Sequence, residues 1–405
     1  MSTPNAMNDL LNWRPEFPIL DTSTYLISNS LGAMPRAVRD RMAAYTESWA
    51  VRGVRAWEEE WWTIAGEVGD KIGRVIGAPP GSVSVHQNVT LTQASIASCY
   101  DFNAPRGQGM GPRNKVVMVD LEFPSILYFY NEQRRYGADV VVVPSDDGIH
   151  PPMQRILDAI DERTVLVPIS QVLFRSAAIV DARAIVEKAH RVGAHVVLDV
   201  FQAAGTFPVD VTALGVEFAV GGVLKWLCGG PGVGYLYVRP DLAPKLNPAI
   251  TGWFAHKSPF SFDPRPIERT DSGYRFLTGT TQVPALYAAG PGLDIIAAAG
   301  VENIRRKSMA LTAHLIAGAQ ARGWRVNTPL DPAARAGTVS IDCPHAQDVA
   351  HELVARNILV DYRPKAGVRI SPHFYNRQDE LDRALDAISE IVATHPAAAG
   401  QPVAR

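Results

Sequence analysis

A short apolar run that ends in a carboxylate, followed one supersecondary unit later by a lysine between large apolar residues, is the feature that most constrains this chain. Val196, Val197 and Leu198 have the character of a strand buried on both faces, and the run stops at Asp199. In open α/β sheets the carboxyl ends of the strands form the edge where ligands bind, so Asp199 is expected to face a ligand, with Gln202 close behind it. A second apolar run, Phe218, Ala219 and Val220, then delivers Lys225 between Leu224 and Trp226. An ammonium in such company is costly unless it is paired or chemically used, and a desolvated lysine with a lowered pKa is the usual Schiff-base nucleophile. An acidic strand end followed by such a lysine points to pyridoxal phosphate.

The chain has 405 residues, enough for a large α/β domain and a smaller one. Its 39 basic and 41 acidic side chains are mixed along the sequence, so nothing in the charge pattern calls for nucleic acid or an anionic membrane. Small neutral or zwitterionic ligands are expected instead. The polar start lacks the apolar core of a signal peptide, which predicts a cytoplasmic protein. Cys99, Cys228 and Cys343 are widely spaced and form no CxxC pair, so neither a disulfide framework nor a metal site is expected.

Strand-like runs at 83–86, 116–120, 140–143 and 165–169 alternate with helical segments at 153–161 and 182–192. This alternation predicts an α/β fold with a mainly parallel, doubly wound sheet. A long helix from about 294 to 321, strands at 337–342, 358–361 and 367–371 and a last helix at 378–392 predict a smaller α+β C-terminal domain. The expected division is an N-terminal arm joining the small domain (1–40), a large cofactor domain (41–293), the small domain (294–395) and a tail (396–405). The glycine-rich run 229–234 resembles a dinucleotide fingerprint only superficially, because a strand and not a helix follows it.

Several candidate site residues stand on these elements. Asn29, Ser30 and Gly32 suit a tight turn, which is either a plain connection or a loop that touches substrate. Asn88, Val89 and Thr90 enter a helix, where they form either an ordinary cap or a phosphate site on the free N–H groups. Phe123 emerges after a strand, just before Ser125, where its ring could stack on a flat cofactor. Trp57 and Trp61 are spaced to share a helix face. Arg369 stands between two β-branched residues on a short strand, where a guanidinium suits bidentate carboxylate capture or a structural salt bridge.

In order along the chain stand Asn-Ser-Leu-Gly at 29–32, Phe-Pro-Ser at 123–125, Asp-x-x-Gln at 199–202, Lys225, Gly-Trp-Phe-x-His at 252–256, Gly-Thr at 279–280 and Gly-Val-Arg at 367–369. This series resembles the kynureninases, within the class V, fold type I pyridoxal-phosphate enzymes, from Asn29 to about Tyr375. The resemblance implies an aspartate-aminotransferase-like fold. It implies that Lys225 holds pyridoxal 5′-phosphate, that Asp199 pairs with its ring nitrogen and that Gln202 bonds its ring oxygen. Asn88, Val89 and Thr90 would cradle the phosphate beside Ser125, and Phe123 would stack on the ring. Trp253 and Thr280 would reach the phosphate from a neighbouring subunit, which implies a homodimer with shared sites. Asn29, Ser30 and Arg369 would bind substrate, and Trp57 would lie at its aromatic end. The implied reaction is hydrolytic Cβ–Cγ cleavage of kynurenine or a related γ-keto-α-amino acid, giving alanine and an aromatic acid.

The chain departs from that pattern at three positions. Leu224 stands where the family has a tyrosine, Gln202 replaces a histidine, and Ile126 replaces an acid after Phe-Pro-Ser. The alternative is another class V reaction on the same scaffold, a C–S lyase or desulfurase, an epimerase or an aminotransferase. A desulfurase needs a mobile nucleophilic thiol, for which Cys343 is the remote candidate.

Overall fold

The computed structural model describes residues 9–104 and 112–394, so the first residues of the arm and the tail 396–405 lie outside the described residues. Seven strands form the central sheet: β1 (Val83–His86), β2 (Lys115–Val119), β3 (Asp139–Val143), β4 (Thr164–Ser170), β5 (His195–Asp199), β6 (Phe218–Gly222) and β7 (Gly234–Val238). Their order is β1-β7-β6-β5-β4-β2-β3, parallel from β6 to β3, with β7 antiparallel to both neighbours. Alternation along the strands sends Val196 and Leu198 to one packed face and Val197 to the other. Both faces are buried, which is why these strands read as continuous apolar runs. Each fully buried aliphatic side chain contributes roughly 1.5–3 kcal/mol.

The carboxyl ends of β2, β4, β5 and β6 share one edge, and the crossover from β3 past β2 to β4 makes a topological switch point there. Ligands of doubly wound sheets bind at such an edge. The strand β7 follows the glycine-rich run directly, so the helix a dinucleotide fingerprint requires is not there.

The helix expected from about 294 to 321 is instead two helices, Val283–Ala299 and Val301–Ala321, which meet at 81°. Gly300 sits between them at φ 78°, a backbone setting that favours glycine, and it releases the chain from one helix axis to the next. Beyond it, β8 (Arg325–Val326), β9 (Val339–Asp342), β10 (Asp361–Arg363) and β11 (Gly367–Ile370) form an antiparallel sheet in the order β10-β11-β9-β8. Its core, with Val339, Ile341, Val368 and Ile370, is closed by helices Val301–Ala321, Ala346–Ala355 and Gln378–Thr394. Thr24 and Tyr25 pair in parallel with Ile358 and Leu359, and Ile27 bridges to Ser371, so the N-terminal segment is stitched to this second sheet. That stitching brings Asn29 and Ser30 over the edge of the large sheet. Among the described residues no single helix is long and apolar enough to cross a membrane.

Candidate active site

A cavity of about 330 Å³ opens at the carboxyl edge of the large sheet, and side chains from both sheets line it. Asn29, Ser30, Asn88, Val89, Thr90 and Phe123 lie on its wall. So do Ser125, Asp199, Gln202, Lys225 and Arg369. Residues 340 positions apart in the sequence (29 to 369) therefore share one small volume.

Asp199 ends β5 almost completely buried, and its Oδ1 accepts the backbone N–H of Phe201 at 2.8 Å. Burial pushes its carboxyl up, while the Phe201 N–H and the nearby Lys225 charge pull it back toward the ionised form. Lys225 follows β6. Loss of solvent lowers its pKa and the Asp199 charge opposes that shift, so the amine sheds its proton more readily than an exposed lysine. Its Nζ lies 4.3 Å from the centroid of Phe201 and 5.6 Å from that of Phe123. The Phe201 ring packs so closely on β6 that a Cβ at Gly222 would come within 2.5 Å of it. Phe201 belongs to the site and was not among the sequence candidates. Its place two residues past the acidic strand end is the signal that could have found it.

The helix Val89–Ala97 begins at the end of β1, with Asn88 as its cap: Leu91 N–H donates to Asn88 Oδ1 at 3.1 Å. The first N–H groups of such a helix have no intrahelical partner, and its positive end attracts anions. A Cβ at Gly234 would lie 2.8 Å from the Asn88 backbone, so only glycine on β7 lets this turn sit so low. Phe123 caps the helix Pro124–Glu132 with its ring 44% exposed, edge-on to Phe174 at 5.2 Å. Behind it, Glu122 is buried and accepts the Ser170 N–H at 3.0 Å and the Ser170 hydroxyl. Leu224 and Ile126, two of the departures noted above, both line the cavity and make its wall apolar.

Gly32 is required by close approach. Its N–H donates to the Leu224 carbonyl at 2.8 Å, and a Cβ there would lie 2.1 Å from the Lys225 carbonyl oxygen. The turn thus presses the Asn29 loop onto the lysine segment. Asn29 is 1% exposed, and neither polar atom of its carboxamide has a partner. An unpaired buried amide costs free energy, and on a cavity wall it marks a place for a ligand.

Arg369 combines the two fates its position allows. Its Nε and Nη2 donate to the two Asp361 oxygens at 2.7 and 2.5 Å, and Nη1 donates to the Phe174 carbonyl at 2.7 Å. The guanidinium still reaches the cavity with the donors left over. Arg363, which no sequence signal singled out, also lines the cavity and lies 3.2 Å from Asp361.

Trp57, Trp253 and Thr280 do not line this cavity. Trp57 is taken up by Trp61, edge-on at 5.2 Å, and by Trp62 at 5.0 Å. Trp253 also packs on Trp62, beside the exposed rings of Phe260 and Phe262. Thr280 is exposed, two residues past Thr278, whose carbonyl accepts the Phe254 N–H. In this single chain Trp57 and Trp253 are joined through Trp62 in one aromatic cluster, and neither they nor Thr280 lines the cavity.

Cys343 is buried outside the cavity, and burial pushes its thiol up to about 11. Among the described residues no cluster of His, Cys, Asp and Glu could hold a metal ion.

The residues at the cavity fit pyridoxal 5′-phosphate. Lys225 matches its aldehyde, Asp199 its ring nitrogen, the helix start at Asn88 its phosphate and Phe123 its flat face. A lysine and a buried aspartate at the carboxyl edge of a mainly parallel sheet, with an anion cradle beside them, define a fold type I pyridoxal-phosphate enzyme. The chain belongs to the aminotransferase class-V family, whose model matches residues 24–384. It is 30% identical to the uncharacterized aminotransferase YcbU of Bacillus subtilis, over 93% of this chain and 96% of that protein. It is 29% identical to a kynureninase of Pseudomonas fluorescens, over 96% of this chain and 94% of the relative. The fold is shared with the apo cysteine desulfurase of Thermococcus onnurineus NA1, with TM-score 0.82, 22% identity, and coverage of 97% of this chain and 99% of that one. A cystine C–S lyase, C-DES, in complex with cysteine persulfide has the same fold, with TM-score 0.80, 18% identity, and coverage of 92% and 99%.

Proposed function

We propose that this protein is a homodimeric, kynureninase-like hydrolase that cleaves the Cβ–Cγ bond of kynurenine or a related γ-keto-α-amino acid, releasing alanine and an aromatic acid. The observation that carries the reading is one cavity holding a lysine with a lowered pKa, a buried aspartate and a substrate-side arginine. Kynureninases 26–29% identical over nearly the whole chain support the choice of reaction.

Bound at Lys225, pyridoxal phosphate supplies an electron-withdrawing ring conjugated to the substrate's α-carbon. The chain's own residues do the rest. Asp199 would hold a negative charge against the ring nitrogen. Asn88, Val89, Thr90 and Ser125 would offer donors to the phosphate, and Phe123 would cover the ring. Asn29, Ser30 and Arg369 orient the α-carboxylate and amine, which sets the reacting carbon in line. Lys225, with its lowered pKa, would take the α-proton at a neutral Nζ. Leu224 and Ile126 give that side of the cavity an apolar wall. The aromatic cluster with Trp57 and Trp253, and the exposed Thr280, would face a second copy of the chain, which would bring Trp253 and Thr280 to the partner's phosphate site.

A second reading, another class V reaction such as transamination or C–S cleavage, is favoured by Leu224, which places an apolar side chain where kynureninases carry a phenol. A desulfurase is the weakest of these, because the buried Cys343 thiol stands outside the cavity. The test adds L-kynurenine to the holoenzyme and follows anthranilate fluorescence. The first reading expects anthranilate and alanine in equal amounts. A yellow enzyme that yields no anthranilate, but whose spectrum responds to another amino acid, decides for the second.

A further inference from the structure

We propose that Trp226 is a positioning residue for the cofactor: its indole N–H fixes the Gln202 carboxamide so that the amide nitrogen, and not the oxygen, is turned to the cavity. The inference rests on the reading of Lys225 as the cofactor lysine.

A glutamine amide can sit in two orientations that differ by exchange of oxygen and nitrogen, and its hydrogen-bond partners decide between them. Here both partners are unambiguous. The indole N–H of Trp226 can only donate, and it lies 2.9 Å from Gln202 Oε1. The Asn29 backbone carbonyl can only accept, and it lies 3.0 Å from Gln202 Nε2. Reversal of the amide would set donor against donor and acceptor against acceptor. Trp226 does not line the cavity, whereas Asn29 does. The oxygen is therefore spent on Trp226, outside the lining, while the nitrogen, bonded once to Asn29 of the cavity wall, keeps a second N–H for a ligand.

Trp226 is itself held from the small domain. It is 1% exposed, and His373 Nε2 lies 2.8 Å from its carbonyl oxygen. A carbonyl only accepts, so His373 carries its proton on Nε2; burial holds its pKa down at about 4 and the ring stays neutral. The two rings meet edge-on at 5.3 Å, and a Cβ at Gly337 would lie 2.8 Å from the indole. The small domain thus seats the tryptophan, the tryptophan sets the amide, and the amide holds the loop whose Asn29 side chain waits unpaired in the same cavity. An N–H donor beside the cofactor lysine suits an anionic acceptor, the ring oxygen adjacent to the aldehyde of pyridoxal phosphate. Donation to that oxygen stabilises its negative charge and eases loss of the proton it shares with the Lys225 nitrogen.

The test is a pH titration of the visible absorbance of the Lys225-bound cofactor in wild type, Gln202→Leu, Trp226→Phe, Gln202→His and the Gln202→His/Trp226→Phe double variant. Loss of one hydrogen bond predicts that Gln202→Leu raises the midpoint by about one pH unit, with Trp226→Phe raising it in the same direction. In the Gln202→His background, which has no amide to orient, Trp226→Phe adds no shift. The proposal is overturned if Trp226→Phe titrates like wild type while Gln202→Leu moves, or if Trp226→Phe shifts both backgrounds equally. If Trp226→Phe does not fold, Gln202→Glu keeps the tryptophan and turns a carboxylate oxygen to the ring; an unchanged midpoint there overturns the orientation. A wild-type protein that stays colourless, with nothing trapped on Lys225 by borohydride, defeats the cofactor reading itself, a result distinct from a yellow enzyme indifferent to Trp226.

Discussion

Replacement of Asp361 by alanine isolates the electrostatic support of the site's arginine. The Asp361 and Arg369 side chains are 11% and 3% exposed and meet through two parallel bonds of 2.7 and 2.5 Å. Asp361→Ala leaves the guanidinium buried, with the Phe174 carbonyl as its remaining acceptor in that group and no negative charge to balance it. Breaking a buried pair from one side costs about 3–5 kcal/mol. Two charge-assisted hydrogen bonds at about 1.5–3 kcal/mol each give about 3–6 kcal/mol, an overlapping range. On the first of these grounds the penalty belongs to the orphaned buried charge, and the double variant with Arg369→Ala tests that assignment. Equilibrium urea unfolding of the holoenzyme, followed by far-ultraviolet circular dichroism and by cofactor absorbance, measures it. Asp361→Ala/Arg369→Ala should cost no more than Asp361→Ala alone, because the uncompensated charge has gone. The more exposed Arg52–Glu59 pair supplies a control in which Glu59→Ala leaves the midpoint in place. A loss below about 1 kcal/mol for Asp361→Ala, the size expected of a surface pair, would refute the reasoning.

Burial raises Glu122 to about 8, against the two Ser170 hydrogen bonds that favour its charged form and with a further push from Asp199. The folded state then keeps a proton that the unfolded chain releases above about pH 4.5, so the contribution to stability is complete below that value and is lost as pH rises through about 8. Glu122→Gln should flatten that decline, whose slope reaches about 1.4 kcal/mol per pH unit; equal slopes in both proteins across the window would exclude the assignment. Leu224→Tyr should increase kynurenine cleavage, because it returns a hydroxyl to the cavity wall beside Lys225. An active enzyme that gains nothing from the change shows that Leu224 is no handicap.

The strands and the charged residues at their ends were legible because each depends on local pattern. A buried parallel strand must be apolar, and a polar residue that interrupts it at the sheet edge has a ligand as its most economical partner. Asp199, Lys225 and the helix entry at Asn88 were readable on that ground. Gly32 was legible as a turn, but its actual role, the close approach to Lys225, depends on a contact across the whole chain. The break at Gly300 was hidden because an apolar helical pattern continues on both sides of it, and only tertiary packing shows the 81° change of axis. Trp57 and Trp253 were legible as aromatic residues but not as members of one surface, since their shared neighbour Trp62 lies in a different segment from Trp253.

The roles of Arg363, Asp361 and Trp226 were illegible for the same physical reason: each is defined by contacts between the C-terminal segment and the edge of the large sheet. That arrangement sets the charge of the site. Lys225, Arg363 and Arg369 bring three basic groups, and Asp199 and Asp361 bring two ionisable carboxyls. Glu122, raised to about 8, adds little charge at neutral pH. Asp361 offsets Arg369 and is shared with Arg363, so the cations on the substrate side outnumber the carboxylate that orients them. A cavity built in this way is unbalanced until anions enter it. A phosphate at the helix start and a carboxylate at the arginines would supply that balance, so the walls that lower the lysine's pKa suit an anionic cofactor and an amino-acid substrate.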